Sequence, residues 1–185
     1  IFMLPYFLWR MWRRGGYRRD FMQRFGMYDA ELLQRLRRQP RLWIHAVSVG
    51  EVYVALRFIQ ALRARRPDLG FVLSTTTSTG HAVATRRLAP EDVLIYFPMD
   101  FPFIVRRVLD RIQPRGLILT EGEIWPNLLR LAQGRGIPIA LINGRLSAKS
   151  YAGYRRIGFF FRRAMAGVHP ICMQSRLEAD RMVGL

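Results

Sequence analysis

Short hydrophobic runs alternate with stretches of helical periodicity from residue 42 to the end of the chain, and this alternation constrains the fold most. The runs predict six strands, at 42–47, 71–76, 93–97, 116–120, 137–142 and 167–174. Runs that are apolar throughout are typical of strands covered on both faces. Strands that alternate with helices predict a parallel sheet. We therefore expect an α/β fold, a doubly wound parallel sheet with helices on both faces.

The intervening stretches predict the helices. Gly26 is expected to end a short basic helix, and Pro67 with Asp68 to end the helix that follows the first strand. Residues 29–41 are rich in arginine and are expected to form a basic connector. The predicted helices are 17–28, 50–66, 78–88, 101–112, 125–133 and 150–166.

The charge balance indicates an anionic partner. The chain of 185 residues has 30 Lys and Arg against 13 Asp and Glu, a net charge of +17. Such a field fits nucleic acid, anionic lipid headgroups or a phosphorylated substrate, and composition does not choose among them. No residue spacing resembles a zinc site, and no Gly-x-Gly-x-x-Gly follows the first strand. We therefore expect neither a metal nor a dinucleotide cofactor.

The first nine residues are apolar and are followed by arginines interleaved with aromatic residues. Nine residues cannot span a bilayer, which needs about 20. The order, apolar first and then basic, is that of the cytoplasmic end of a transmembrane helix. We expect residues 1–16 to be the end of a truncated membrane anchor with its basic flank, and residues 17–185 to form the α/β domain. An interfacial amphipathic helix and an ordinary core helix are the alternatives.

Polar segments that contain glycines and acids follow five of the predicted strands. They are residues 48–51, 75–80, 98–100, 121–127 and 143–147. The carboxyl ends of parallel strands gather at one edge of the sheet, where ligands bind in folds of this type. The sequence therefore predicts a single site at that edge.

Two glutamates are the candidates for chemistry there. Glu51 follows Gly50 at the start of a helix, where it is either a general base or an acid that complements the positive end of the helix dipole. Glu121 directly follows an apolar strand, and desolvation there would raise its pKa, which suits a group that shares a proton. We interpret Glu123 as a helix-start acid. The threonines of 75–79 either cap the next helix or bind a sugar.

Five motifs resemble, in order and spacing, the N-terminal half of the 3-deoxy-D-manno-octulosonic acid (Kdo) transferases of lipopolysaccharide assembly. The motifs are His45-Ala-Val-Ser-Val-Gly-Glu51, Thr75-Thr-Thr-Ser-Thr-Gly80, Pro98-Met-Asp-Phe-Pro102, Glu121-Gly-Glu-Ile-Trp-Pro-Asn127 and Asn143-Gly-Arg-Leu-Ser147. The family usually has threonine between the two glutamates of the fourth motif. This chain has Gly122, a mild departure that is expected to loosen the backbone there.

The resemblance implies the Rossmann-like acceptor half of a GT-B glycosyltransferase, which moves Kdo from CMP-Kdo to a lipid A precursor with inversion and without a metal. By motif, Glu51 would be the general base and Glu121 the transition-state stabiliser. A donor domain that binds CMP-Kdo would lie beyond this chain. The residues implied for acceptor binding are Ser48, Gly50, Thr77, Thr79, Gly80, Glu123, Asn143 and Arg145.

The resemblance also implies a place on the cytoplasmic face of the bacterial inner membrane, against an anionic lipid surface. The arginines expected on the membrane-facing side are Arg13, Arg14, Arg18, Arg19, Arg35, Arg37, Arg38, Arg155, Arg156, Arg162 and Arg163. Another GT-B transferase with a lipid-linked acceptor is the nearest alternative. A nucleic-acid-binding module is motivated by charge alone and lacks its signatures, so no nucleic acid partner is expected. A non-catalytic membrane adaptor would not need glutamates along one sheet edge.

Overall fold

Six parallel strands form one sheet in the computed structural model, which describes residues 20–122 and 124–185. The strands are β1 (Arg41–Ala46), β2 (Gly70–Thr75), β3 (Val93–Tyr96), β4 (Gly116–Thr120), β5 (Ile139–Gly144) and β6 (Val168–Met173). Their order in the sheet is β3-β2-β1-β4-β5-β6, and every neighbouring pair is parallel. The order reverses between β1 and β4, and ligands bind at such a switch point in open parallel sheets.

In the part of the chain that the structure describes, eight α-helices connect or flank the strands, after a short 3₁₀ helix at Phe21–Phe25. In chain order they are α1 (Ala30–Arg37), α2 (Val49–Arg65), α3 (Ser78–Arg87), α4 (Pro102–Ile112), α5 (Pro126–Gln133), α6 (Ala148–Arg156), α7 (Gly158–Met165) and α8 (Arg176–Val183).

The helices cover both faces of the sheet, and each face has its own hydrophobic core. Ile44 of β1 packs with the apolar sides of α2 and α3, which include Val52 and Ala84. Trp43, whose side chain points to the opposite face, belongs to the core formed by α1, α4, α5 and α7. The predicted doubly wound α/β fold is thereby confirmed.

Helix α8 has no counterpart among the predicted helices, and three predicted segments differ from the sequence-based expectations. The expected basic connector contains α1, because the Asp29 side chain accepts a hydrogen bond from Leu32 N (2.7 Å) and Leu36 is buried. The helix expected at 150–166 is divided into α6 and α7 at Ile157, whose φ of −113° and ψ of 30° are not helical. The described part of the basic helix expected at 17–28 is a 3₁₀ helix. Gly26 ends it, as predicted, and has a left-handed backbone conformation.

Residues 1–19 lie outside the described residues, so the anchor expected at 1–16, with Arg13, Arg14, Arg18 and Arg19, stays a prediction. Among the residues that the structure describes, no helix has the length and apolar character needed to cross a bilayer.

Two glycines with nearly the same left-handed backbone allow a matched test of packing. Gly26 has φ of 69°, and a Cβ added there would lie 2.8 Å from Val108 Cγ2. Gly136 has φ of 68° and open space around the same position. Gly136→Ala should lower the free energy of unfolding by about 1 kcal/mol, because L-residues are strained in this region. Gly26→Ala should cost about 1–3 kcal/mol more, because the added methyl overpacks the core. Urea unfolding of both variants measures the difference, and equal losses would contradict the Val108 contact.

Candidate active site

Glu51 lies in the first turn of α2, just after the end of β1. The Ser48 Oγ accepts a hydrogen bond from Glu51 N (3.4 Å), and Glu51 Oε1 accepts one from Ser48 N (3.1 Å), which together form a capping box. Glu51 Oε2 also accepts from Val47 N (2.9 Å). The carboxylate therefore caps α2, and the residue is only 4% exposed.

The same carboxylate contacts the neighbouring strand. Thr120, the last residue of β4, has its Oγ1 3.0 Å from Glu51 Oε2 and 2.7 Å from the carbonyl oxygen of His45. Its single proton can be donated to one of these acceptors at a time. A carboxylate offers about four acceptor positions, so one position on Oε1 has no partner within residues 20–122 and 124–185.

Glu121 follows Thr120 directly, so the two predicted acids share one edge of the sheet. Its φ is +61°, in a region that L-residues rarely adopt, and its N–H donates to the carbonyl oxygen of Ile142 (3.1 Å). Asn143, at the equivalent place on β5, also has positive φ, 53°. Backbone strain of this kind clusters at functional sites. Glu121 stands at the switch point, and Asn143 is on the next strand along the sheet.

The pKa of Glu121 is raised above its ordinary value. Partial burial of the carboxyl group is the main cause, and the nearby carboxylate of Glu51 adds to it, while the Arg145 guanidinium acts in the opposite direction. The two glutamates are therefore electrostatically coupled although 70 positions separate them in the sequence.

Gly122 lies against the loop that follows β5. A Cβ added at Gly122 would be 2.7 Å from the carbonyl oxygen of Arg145, closer than real Cβ atoms approach. The expectation that glycine loosens the backbone at this turn stays a prediction, and the structure adds a steric reason for glycine here. Glycine allows the Arg145 backbone to lie directly on the turn that contains Glu121.

The threonine segment after β2 mainly caps α3. Thr77 Oγ1 accepts from Gly80 N (3.1 Å) and donates to the carbonyl oxygen of Val47 (3.0 Å), so it also joins this segment to the end of β1. Gly80 is buried, and a Cβ there would lie 3.4 Å from Val52 of α2. Thr79 is exposed.

The remaining residues implied for acceptor binding are distributed along the same edge. Gly50 and Arg145 are exposed, and Asn143 is half-buried with its carbonyl oxygen accepting from Gln174 Nε2 (3.2 Å). Ser48 is engaged in the cap of α2. Glu123 lies outside the described residues, so its placement stays a prediction.

Asp100 has a role that sequence reasoning missed. Its Oδ2 accepts from Asn127 N (3.0 Å) and its Oδ1 from Leu128 N (2.8 Å), while Asn127 Nδ2 donates to the Asp100 carbonyl oxygen (2.6 Å). Asp100 thus caps α5 from another loop. Burial raises the pKa of this carboxyl group against the lowering effect of these bonds. Its position after a strand was visible in the sequence, but its partner was not.

The histidines near the site pack rather than titrate near neutral pH. His45 is fully buried, stacks on Phe97 with ring centroids 3.7 Å apart, and has Nδ1 3.0 Å from Ser74 Oγ. Burial lowers the pKa of His45 to about 3. Burial also lowers the pKa of His81, which stacks on Tyr96, to about 4. Within the described residues, no group of three His, Cys, Asp or Glu side chains could hold a metal ion.

Comparisons with known proteins agree with the resemblance in the motifs. The family model described as 3-deoxy-D-manno-octulosonic-acid transferase matches residues 19–185. A protein of that name from Bordetella pertussis is 35% identical over 182 residues, which are 95% of this chain and 42% of the relative. The one from Haemophilus influenzae is 31% identical over 170 residues, 91% of this chain and 39% of the relative. A bifunctional glycosyltransferase/methyltransferase from Fusobacterium nucleatum is 29% identical over 81% of this chain and 24% of the relative. The chain thus spans about two fifths of the first two relatives.

The buried state of His45 predicts a pH dependence of stability. The unfolded chain binds a proton at His45 below the ordinary pKa of 6.5, whereas the folded chain does not until about pH 3. Stability linked to this group is therefore complete above pH 6.5 and is lost as the pH falls towards 3. Between pH 7 and pH 5 the loss should be about 2 kcal/mol.

His45→Asn removes this titration. Between pH 7 and pH 5, the free energy of unfolding of the variant should therefore fall by about 2 kcal/mol less than that of the unchanged chain. Guanidinium unfolding at both pH values measures it. The difference between the two proteins isolates His45, because His81 and the carboxyl groups titrate in both. The same pH dependence in both proteins would mean that His45 is protonated normally in the folded state.

Proposed function

The chain belongs to the family of 3-deoxy-D-manno-octulosonic acid (Kdo) transferases, and we propose that it is the acceptor-binding part of an enzyme of lipopolysaccharide biosynthesis. The reaction is the transfer of Kdo from CMP-Kdo to a lipid A precursor. The relatives are more than twice as long as the matched segment, and we assign CMP-Kdo binding to the remainder of such a protein. No metal and no other cofactor is part of the proposal.

The observation that carries the proposal is the pairing of Glu51 and Glu121 at the switch point of the sheet. Thr120 joins them, because its hydroxyl contacts the Glu51 carboxylate and its backbone continues into Glu121. The electrostatic coupling of the two acids supports a shared site. Two carboxylates in unlike environments are typical of sites in which one acid takes up a proton and the other stabilises charge.

Glu51 acts as the general base in this mechanism. The acceptor hydroxyl gives its proton to the free acceptor position on Oε1, and its oxygen attacks the anomeric carbon of Kdo. The bond from that carbon to the phosphate of CMP breaks on the opposite side, so the configuration inverts and CMP leaves with the electron pair. A positioned base of this kind typically accelerates a reaction by ~10²–10⁴-fold.

Glu121 stabilises the transition state. Positive charge develops on the sugar ring as the bond to CMP breaks, and a carboxylate beside the ring lowers the energy of that charge. Its strained backbone and the contact of Gly122 with the Arg145 carbonyl fix its position. The positive charge of Arg145 limits the rise of the Glu121 pKa.

The acceptor-binding residues divide by their surroundings. Exposed Gly50, Thr79 and Arg145 are suited to direct contact with the acceptor. The others contribute by shaping the edge, since Ser48 and Thr77 cap helices and Gly80 packs between them. Asn143 and Glu123 complete the proposed set.

The proposed location is the cytoplasmic face of the bacterial inner membrane, with residues 1–16 as anchor and arginines against anionic lipid. Each basic residue near such a surface contributes roughly 1 kcal/mol. Arg35 is less suited than predicted, because it donates to the carbonyl oxygens of Pro90 (2.8 Å) and Asp92 (2.6 Å). The exposed arginines that fit best lie on α6, on α7 and at the end of α1. They are Arg37, Arg38, Arg155, Arg156, Arg162 and Arg163.

Glu51→Gln in the full-length enzyme should lower the rate of Kdo transfer by ~10²–10⁴-fold, because glutamine cannot accept the proton. Release of CMP from CMP-Kdo in the presence of acceptor measures the rate. Offering other nucleotide sugars in the same assay tests the alternative, a GT-B transferase with a different donor.

Glu178→Gln is the matched control. Glu178 stands in the same Ser-x-x-Glu pattern with Ser175 at the start of α8 (Glu178 N to Ser175 Oγ, 3.3 Å), but its carboxylate accepts from Ser175 Oγ (3.0 Å) and Leu146 N (3.2 Å). Both variants remove the charge of a carboxylate in the first turn of a helix, which should cost Glu178→Gln about 1 kcal/mol of stability, but Glu178→Gln should keep its activity. Transfer that survives in Glu51→Gln, or fails equally in both variants, would remove the base assignment.

Thr120 should act as a positioning residue for Glu51. Thr120→Val removes the hydroxyl at 3.0 Å and should lower kcat by about tenfold, the equivalent of one hydrogen bond to a charged group. It should also shift the acidic limb of the pH–rate profile. Thr120→Ser keeps the hydroxyl and should retain both properties. Equal kcat and pH profiles in Thr120→Val and Thr120→Ser would assign Thr120 to packing alone.

A further inference from the structure

Helices α5 and α7 leave an apolar groove of about 680 Å³ between them, which is within the size range of ligand sites. Its apolar lining includes Ile124, Tyr154, Ile157 and Phe161, of which Phe161 is buried in the core. Ile157 is 51% exposed, and Phe160, which also lines the groove, is 70% exposed. Exposed large apolar side chains beside a groove mark a surface that binds an apolar partner.

Basic side chains predominate around the groove. Every charged residue in the segment 124–177 is an arginine or a lysine, and the nearby acid is Asp100, which bonds the lining residue Asn127 and interacts electrostatically with Arg130. Two of these, Arg130 and Arg163, line the groove itself, and both are exposed. Neither forms an ion pair with any described residue. An occupant of complementary chemistry therefore has an apolar part and an anionic group.

The groove begins beside the acids of the site. Ile124 is three positions after Glu121, and it lines both the groove and a small void of about 10 Å³ whose walls include Gly122 and Arg145. That void is too small to hold a ligand, so the groove is separate from the acids but adjacent to them. A molecule whose apolar part lies in the groove can present its polar part to the carboxyl edge of the sheet.

We propose that the groove between α5 and α7 binds one acyl chain of a phosphorylated lipid, and that Arg130 and Arg163 bind the phosphate at its mouth. The inference rests on the proposed function in taking this lipid to be the acceptor. It adds a subsite for the acceptor's hydrocarbon chain. The site recognises a single chain together with one anionic group, which is more specific than attraction to a charged bilayer.

Dodecyl phosphate below its micellar concentration is the probe, titrated into the full chain and followed by calorimetry. It should bind at least about tenfold more tightly than inorganic phosphate, which lacks the chain, and dodecyl maltoside, which lacks the charge. Arg130→Gln with Arg163→Gln should reduce the affinity to that of dodecyl maltoside.

Two variants test the groove itself. Ala164→Trp fills it and should weaken dodecyl phosphate binding by at least about tenfold. Ile157→Asn alters an exposed position at the mouth, so the fold should tolerate it, and it should weaken binding in the same direction. Phe103→Ala is the matched control, since Phe103 is another exposed aromatic residue (63%) that does not line the groove, and it should leave binding unchanged.

Several outcomes would overturn the proposal. Equal binding of inorganic phosphate would indicate a simple anion site, and equal binding of dodecyl maltoside would indicate unspecific apolar adsorption. Binding to phosphatidylglycerol vesicles without binding of the monomeric probe would indicate docking on a bilayer surface instead. Affinity unchanged in both Ala164→Trp and Ile157→Asn would place the probe elsewhere. Glu51→Gln should bind dodecyl phosphate normally. A wrong groove assignment would therefore show in the binding experiment, and a wrong base assignment only in the transfer assay.

Discussion

A single buried carboxylate holds the carboxyl edge of the sheet together. Glu51 accepts hydrogen bonds from the backbone at Val47 and Ser48 and contacts the Thr120 hydroxyl, so it connects the end of β1, the start of α2 and the end of β4. Because Glu121 is the next residue after Thr120, the same contact sets the distance between the two acids. These bonds replace hydration that the buried group has lost.

Most motif residues stabilise the loops around the site rather than take part in chemistry. Asp100 satisfies the first N–H groups of α5, Thr77 those of α3, and His45 fills the space against Phe97. Loops at this edge must pair their buried polar groups, and short side chains with oxygen atoms do so most directly. The motifs therefore combine two kinds of residue, those that fix the loops and the few acids that the fixed loops hold in place.

Sequence reasoning succeeded where the signal is local. The apolar runs predicted all six strands, with the bounds of β4 correct, and the edge shared by Glu51 and Glu121 followed from parallel topology. It failed where tertiary contacts decide. The many arginines of α1 made a helix with a buried Leu36 look like a connector. Asp100 and the start of α5 are far apart in the sequence, so their pairing could not be predicted from it. The closeness of Gly122 to Arg145 likewise depends on how two loops meet.

The central claim is that Glu51 and Glu121 interact across one site, and the pKa of Glu121 tests it most directly. Carbon-13 NMR of the glutamate side chains can follow its titration in the unchanged chain, in Glu51→Gln and in Arg145→Gln. The account predicts a pKa above the ordinary value in the unchanged chain, a lower one when the Glu51 charge is removed, and a higher one when the Arg145 charge is removed. A Glu121 pKa that is ordinary and the same in all three proteins would contradict it.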